Sequence, residues 1–142
     1  MKTTLIYATL ILTLSITLYS CQPDNNSNTP QPTGDTRDKF VDTWSCQEQS
    51  KLNGNSSFMV NISLNSNNSS QINISNFYQL GASYKVYGIV ADNSVTLPNQ
   101  TVNGFTVKSG SGNITNNNNQ ITWNYVIDDG ADLDTCTAVF SK

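Results

Sequence analysis

Four aspartates crowd the last part of the chain: Asp128, Asp129, Asp132 and Asp134. Carboxylates this close supply the oxygens a hard cation wants, and calcium takes six to eight of them. The spacing lacks the register of an EF-hand loop. Asp129-Gly130 also reads as a hairpin turn kept wet by its acids. A glycosidase would need two carboxylates facing each other across a cleft. The single glutamate, Glu48, has nothing in the sequence to place it opposite an aspartate. There is no histidine, so no Ser-His relay can be built. The chain therefore reads as a non-enzyme that needs no cofactor, with a weak hydrolase as the remotest alternative. Gly110-Ser111-Gly112 resembles a phosphate loop, but no helix follows to supply amides, and a bent strand is the simpler reading.

Tyr84, Tyr87, Trp123 and Tyr125 are the candidates for lining a ligand pocket, since aromatics serve both recognition and packing. Trp123 and Tyr125 share a period-two face with Ile121 and Ile127, which makes core the leading reading for them. Cys46 and Cys136 stand 90 positions apart. In an exported chain such a pair is expected to form a disulfide, contributing about 4–5 kcal/mol on the loop-entropy model.

These groups must be carried by something, and the chain divides cleanly. Lys2 precedes an apolar, hydroxyl-rich run from Thr3 to Tyr19, then Ser20 and Cys21. That is the layout of a secretory signal, and the run is short and hydroxylated for a spanning helix. Leu18-Tyr19-Ser20-Cys21 resembles the lipobox of bacterial lipoproteins. The resemblance implies that residues 1–20 are a signal peptide and that Cys21 becomes the acylated, palmitate-bearing first residue of the mature chain. Gln22, in place of the aspartate that retains many such proteins at an inner membrane, points to the outer membrane. Residues 21–37 carry no large apolar side chain after the cysteine and read as a flexible linker. Ten acids against seven bases give a net charge of −3. Nucleic acid is thereby excluded as a partner, because phosphate needs clustered cations.

Residues 38–142 alternate apolar and polar with period two and carry almost no helical pattern. A short helical turn around Phe40 leads to a strand from Trp44 to Cys46. Phe58, Val60, Ile62 and Leu64 share one face of the next. Ile72 and Ile74, then Val86, Gly88 and Val90, then Val95 and Leu97 continue the pattern. Gly104–Val107 and Ser111–Ile114 read as two weaker strands. Ile121–Ile127 is the clearest, and Cys136, Ala138 and Phe140 share a face of the last. Asn53-Gly54, Asp92-Asn93 and Asp129-Gly130 mark turns. About eight short strands at this spacing predict an all-β fold: an antiparallel up-and-down barrel, with a β-sandwich as the alternative.

Arg37-Asp38-Lys39-Phe40-Val41-Asp42-Thr43-Trp44 opens the domain, Asn76-Phe77-Tyr78-Gln79-Leu80-Gly81 lies mid-chain, and Asp128-Asp129-Gly130 precedes Cys136-Thr137-Ala138. On these residues the chain resembles small Bacteroidota-type lipoproteins with a lipocalin-like β domain. The resemblance implies envelope location and fold, and it supplies no catalytic residue. The expected function is a lipid-anchored envelope protein with a binding or structural domain, accessory to an outer-membrane assembly. The alternative is a lipocalin-like carrier of a small apolar ligand.

Overall fold

The computed structural model describes residues 34–115 and 117–142. The expected signal peptide, the expected lipidation site Cys21 and the expected linker as far as residue 33 lie outside the described residues. The period-two segments form nine strands: β1 (Asp42–Ser50), β2 (Gly54–Leu64), β3 (Gln71–Ser75), β4 (Lys85–Ala91), β5 (Ser94–Leu97), β6 (Gln100–Val102), β7 (Phe105–Ile114), β8 (Gln120–Asp128) and β9 (Leu133–Ser141).

Eight of them close into an antiparallel barrel in the order β1-β2-β3-β4-β5-β7-β8-β9. Pairing of β1 with β9 joins first strand to last. Pairing of β5 with β7 bypasses β6, which forms only a hairpin with β7. Closure leaves no long unpaired edge, which is how a sheet of this size avoids aggregating. Beside β6 the wall is completed by a side chain. Gln100 accepts from the Tyr87 N–H and donates to the Tyr87 carbonyl, each at 2.8 Å, in imitation of a paired strand.

Each strand turns its apolar set inward, giving one contiguous core. Trp44, Trp123, Phe40, Phe77 and Phe140 are its largest fully buried members. Their bulk requires small residues opposite. The expected pair of weak strands is one continuous β7 with a bulge between Val107 and Ser109. Its glycines sit outside that bulge. A Cβ on Gly112 would stand 2.6 Å from the Trp123 ring, and one on Gly110 would stand 2.8 Å from the Tyr125 Cβ. The glycines are there so that the β8 aromatics can lie against the wall.

One end is closed by a 3₁₀ turn at Asp38–Phe40. Phe40 plugs the interior, and its carbonyl accepts from the Trp44 indole at 2.8 Å. Arg37 pins this turn to the β2–β3 loop by donating to the carbonyls of Asn65, Asn68 and Gln71. The other end is roofed by the turn Phe77–Gln79, where Asn76, Tyr78 and Gln79 all have positive φ. Left-handed backbone costs about 1–2 kcal/mol per non-glycine residue, so strong contacts must hold this turn.

Gly112→Ala is expected to lower stability by about 1–3 kcal/mol through overpacking against Trp123, read as a fall in Tm. Gly34→Ala, with no neighbour within 4 Å, should leave Tm unchanged.

Candidate functional site

Counting by twos from Trp44 carries β1 beyond its apolar residues. Glu48 and Ser50 fall on the same inward parity as Trp44 and Cys46, and both are buried. Asp134 falls inward on β9 beside Cys136. The barrel interior is thus apolar toward Phe40 and polar toward the Phe77–Gln79 turn.

Two carboxyls organise the polar end. Asp134 accepts from Ser50 Oγ at 2.5 Å, from the Leu52 N–H at 3.1 Å and from Tyr78 Oη at 2.8 Å. Asn53 donates to the same Tyr78 oxygen at 2.8 Å. Tyr78 therefore latches the strained turn to β9 and to the β1–β2 loop, and its ring meets Phe105 edge-on at 5.9 Å. Phe77 fills the mouth beneath, packed on Tyr125 at 4.5 Å and Trp123 at 6.3 Å. Glu48 accepts from Tyr125 Oη and, at 3.3 Å, from Ser56 Oγ.

The environments push the two carboxyls apart. For Glu48, burial outweighs the hydrogen bonds from Tyr125 and Ser56, and its pKa is raised. For Asp134, burial is outweighed by hydrogen bonds from Ser50, Tyr78 and the Leu52 N–H, and its pKa is lowered. Tyr125 and Tyr78 are both raised, first by burial and then by the carboxylates beside them. The arrangement thus disfavours the charged form of Glu48 and favours that of Asp134, each on oxygens already engaged by protein donors.

Three expectations are corrected by this geometry. Cys46 and Cys136 are free, buried thiols, so the disulfide is not made. Cys46 lies opposite Phe140 and Cys136 opposite Ser50. Four residues of strand separate them, about 13 Å at the strand rise, twice the span a disulfide bridges. Burial pushes Cys46 up to about 12 and raises Cys136 also. The four aspartates do not converge. Asp134 points inward, while Asp129 accepts from the amides of Ala131 and Asp132 in the exposed turn. Among the described residues no group of three acids or thiols is placed to hold a metal. The four aromatics do not share a pocket either. Trp123 and Tyr125 are inside, whereas Tyr84 is exposed and Tyr87 lies half-buried on the outer side of β4.

Concave space lies on the outer wall. One groove of about 400 Å³ crosses β1, β9 and β8, bordered by Gln47, Gln49, Thr122, Asn124 and Thr137. A second, of about 360 Å³, continues from Asn124 across β7 past Ser109 and Ser111. Glu48, missed as a site residue, was detectable by extending the β1 parity. The Tyr78 latch and the grooves had no local signal.

The fold is that of a closed eight-stranded antiparallel β-barrel. No family model and no curated protein matches the chain. A redesigned β-barrel superposes with a TM-score of 0.56 and 11% identity, covering 78% of this chain and 96% of that one. The barrel EF1p2_mFAP2b, solved bound to DFHBI, also has a TM-score of 0.56 and 11% identity, covering 77% and 99%. At this identity the likeness is one of fold.

Because its folded pKa is raised, Glu48 contributes stability that is fully present below its ordinary 4.5 and is lost as pH rises through the folded value. Asp134 behaves oppositely, its contribution present above its ordinary 3.8 and lost as pH falls through the depressed value. Glu48→Gln is therefore expected to raise Tm at pH 8, with the gain disappearing below pH ~4. A constant gain across the range would show that burial of Glu48 is not the cause. Separately, reductant should leave the Tm of the wild-type protein unchanged, since both thiols are free.

Proposed function

We propose that the protein is a lipid-anchored envelope barrel, carried at the outer membrane by an acylated Cys21, that works by binding a partner on its outer wall. The observation that carries this reading is the filled interior. Trp44, Trp123, Phe40, Phe77 and Phe140 pack one contiguous core, while the grooves lie outside it. A carrier of an apolar ligand wants an enclosed cavity of several hundred cubic ångströms. The anchor itself is supported by the sequence around Cys21.

A second reading, an interior carrier, has one observation in its favour. Trp123 Nε1 is buried without a hydrogen-bond partner among the described residues, and a buried donor left unpaired costs about 1–3 kcal/mol. A small ligand with an acceptor group would relieve it. A barrel of the same fold has been solved with the small molecule DFHBI, which makes the reading concrete.

Native mass spectrometry of the full chain, extracted gently from its own envelope, separates the two. The outer-wall reading expects the acylated mass without further adduct. A retained small molecule, displaced on denaturation, would instead support the carrier. Cys21→Ser is expected to abolish labelling by radioactive palmitate and release the protein from membranes. Undiminished labelling would remove the anchor.

A further inference from the structure

The outer wall of β1, β9, β8 and β7 carries two grooves bordered by uncharged polar side chains over a partly apolar floor. Strand register lines up one row of side chains across it: Asn55, Gln49, Thr137, Asn124 and Ser111, each opposite the next on a neighbouring strand. At about 4.8 Å between strands the row spans roughly 19 Å. It runs along both grooves, which meet at Asn124.

These side chains are not used by the fold. Their neighbours are engaged: Gln47 donates to Ser57, and Thr122 donates to the Asn113 carbonyl. Gln49, Asn55, Asn124 and Thr137 make no side-chain hydrogen bond with any described residue. Each amide offers two donors and an acceptor, and each hydroxyl offers both roles.

Two ion pairs border this face. Lys108 pairs with Asp128 at 3.5 Å, and Lys142 with Asp42 at 3.0 Å. The carboxyl of Glu48 is turned inside, onto Tyr125 and Ser56. No lysine or arginine lines either groove, so an anionic ligand would lose water there without gaining a counter-charge. A protein partner fits poorly too. Interface centres are enriched in aromatics, methionine and arginine, whereas the outward-facing apolar side chains of these grooves are Val126 and Val139.

We infer that this face binds an uncharged carbohydrate chain, its hydroxyls read by the free amides of Gln49, Asn55 and Asn124. A sugar hydroxyl both donates and accepts, which matches amide and hydroxyl side chains without any charge. The inference rests on the outer-wall reading and names the chemical class of the partner.

The test is native affinity electrophoresis of the full lipidated chain in detergent micelles, through gels containing dextran, laminarin or mannan, with polyanionic alginate as the charged control. At least one neutral polysaccharide should retard the protein and alginate should not. Gln49→Ala combined with Asn124→Ala should weaken that retardation about tenfold or more, the loss of two net hydrogen bonds. Both side chains are exposed, and an unchanged Tm confirms that the double variant folds. No retardation by any of the three overturns the inference, as does retardation that survives the double variant or that alginate alone produces. Crosslinking of an envelope protein to this face, lost in the double variant and without polysaccharide retention, would also overturn it. Failure here with palmitate labelling and an adduct-free mass intact leaves the tethered barrel standing.

Discussion

Closure of the sheet on itself is the constraint on which everything else depends. Once β1 pairs with β9 and β5 with β7, each of the eight barrel strands has a neighbour on both sides and only two environments remain, inside and outside. Outside the bulge in β7, a side chain's fate is then decided by parity. That rule buries Trp44 and Trp123, and it just as strictly carries Glu48, Ser50 and Asp134 inward. The polar end of the interior is a consequence of strands continuing past their apolar residues without changing face.

Buried carboxyls are expensive unless donors surround them. The barrel meets this cost with groups from its own loops and walls. Ser50, Tyr78 and the Leu52 amide outweigh burial and hold the Asp134 pKa down, while burial keeps that of Glu48 raised despite the bonds from Tyr125 and Ser56. The same hydrogen bonds tie down the turn at Phe77–Gln79, whose left-handed residues would otherwise be unfavourable. Strain in the roof and charge beneath it stabilise one another through Tyr78. The turn closes this end of the barrel, and two grooves lie on the outer wall.

The outer wall follows the opposite logic. Its asparagines, glutamines, serines and threonines are spaced by strand register, so a composition that reads as merely polar becomes an ordered array. No lysine or arginine lines its grooves, and nearby Lys108 and Lys142 are paired with Asp128 and Asp42. A barrel with a packed interior and such a surface is suited to binding without enclosing its partner.

The sequence by itself determined the β class, most strand faces and the turns, because alternation and turn chemistry are local. Asn53-Gly54 and Asp129-Gly130 do turn the chain, with Gly54 and Gly130 at positive φ. The same alternation held the inward parity of Glu48, although the strand extends to Ser50 where the apolar pattern stops at Cys46. Only the tertiary structure decided the register between strands distant in sequence. Register set Cys136 against Ser50 instead of Cys46 and left both thiols free. It fused two weak segments into β7, gave Gly112 its purpose beneath Trp123 and brought Tyr78 to Asp134. Parity is a property of one strand, whereas register is a compromise among all eight around a closed ring, and no local window of sequence contains it.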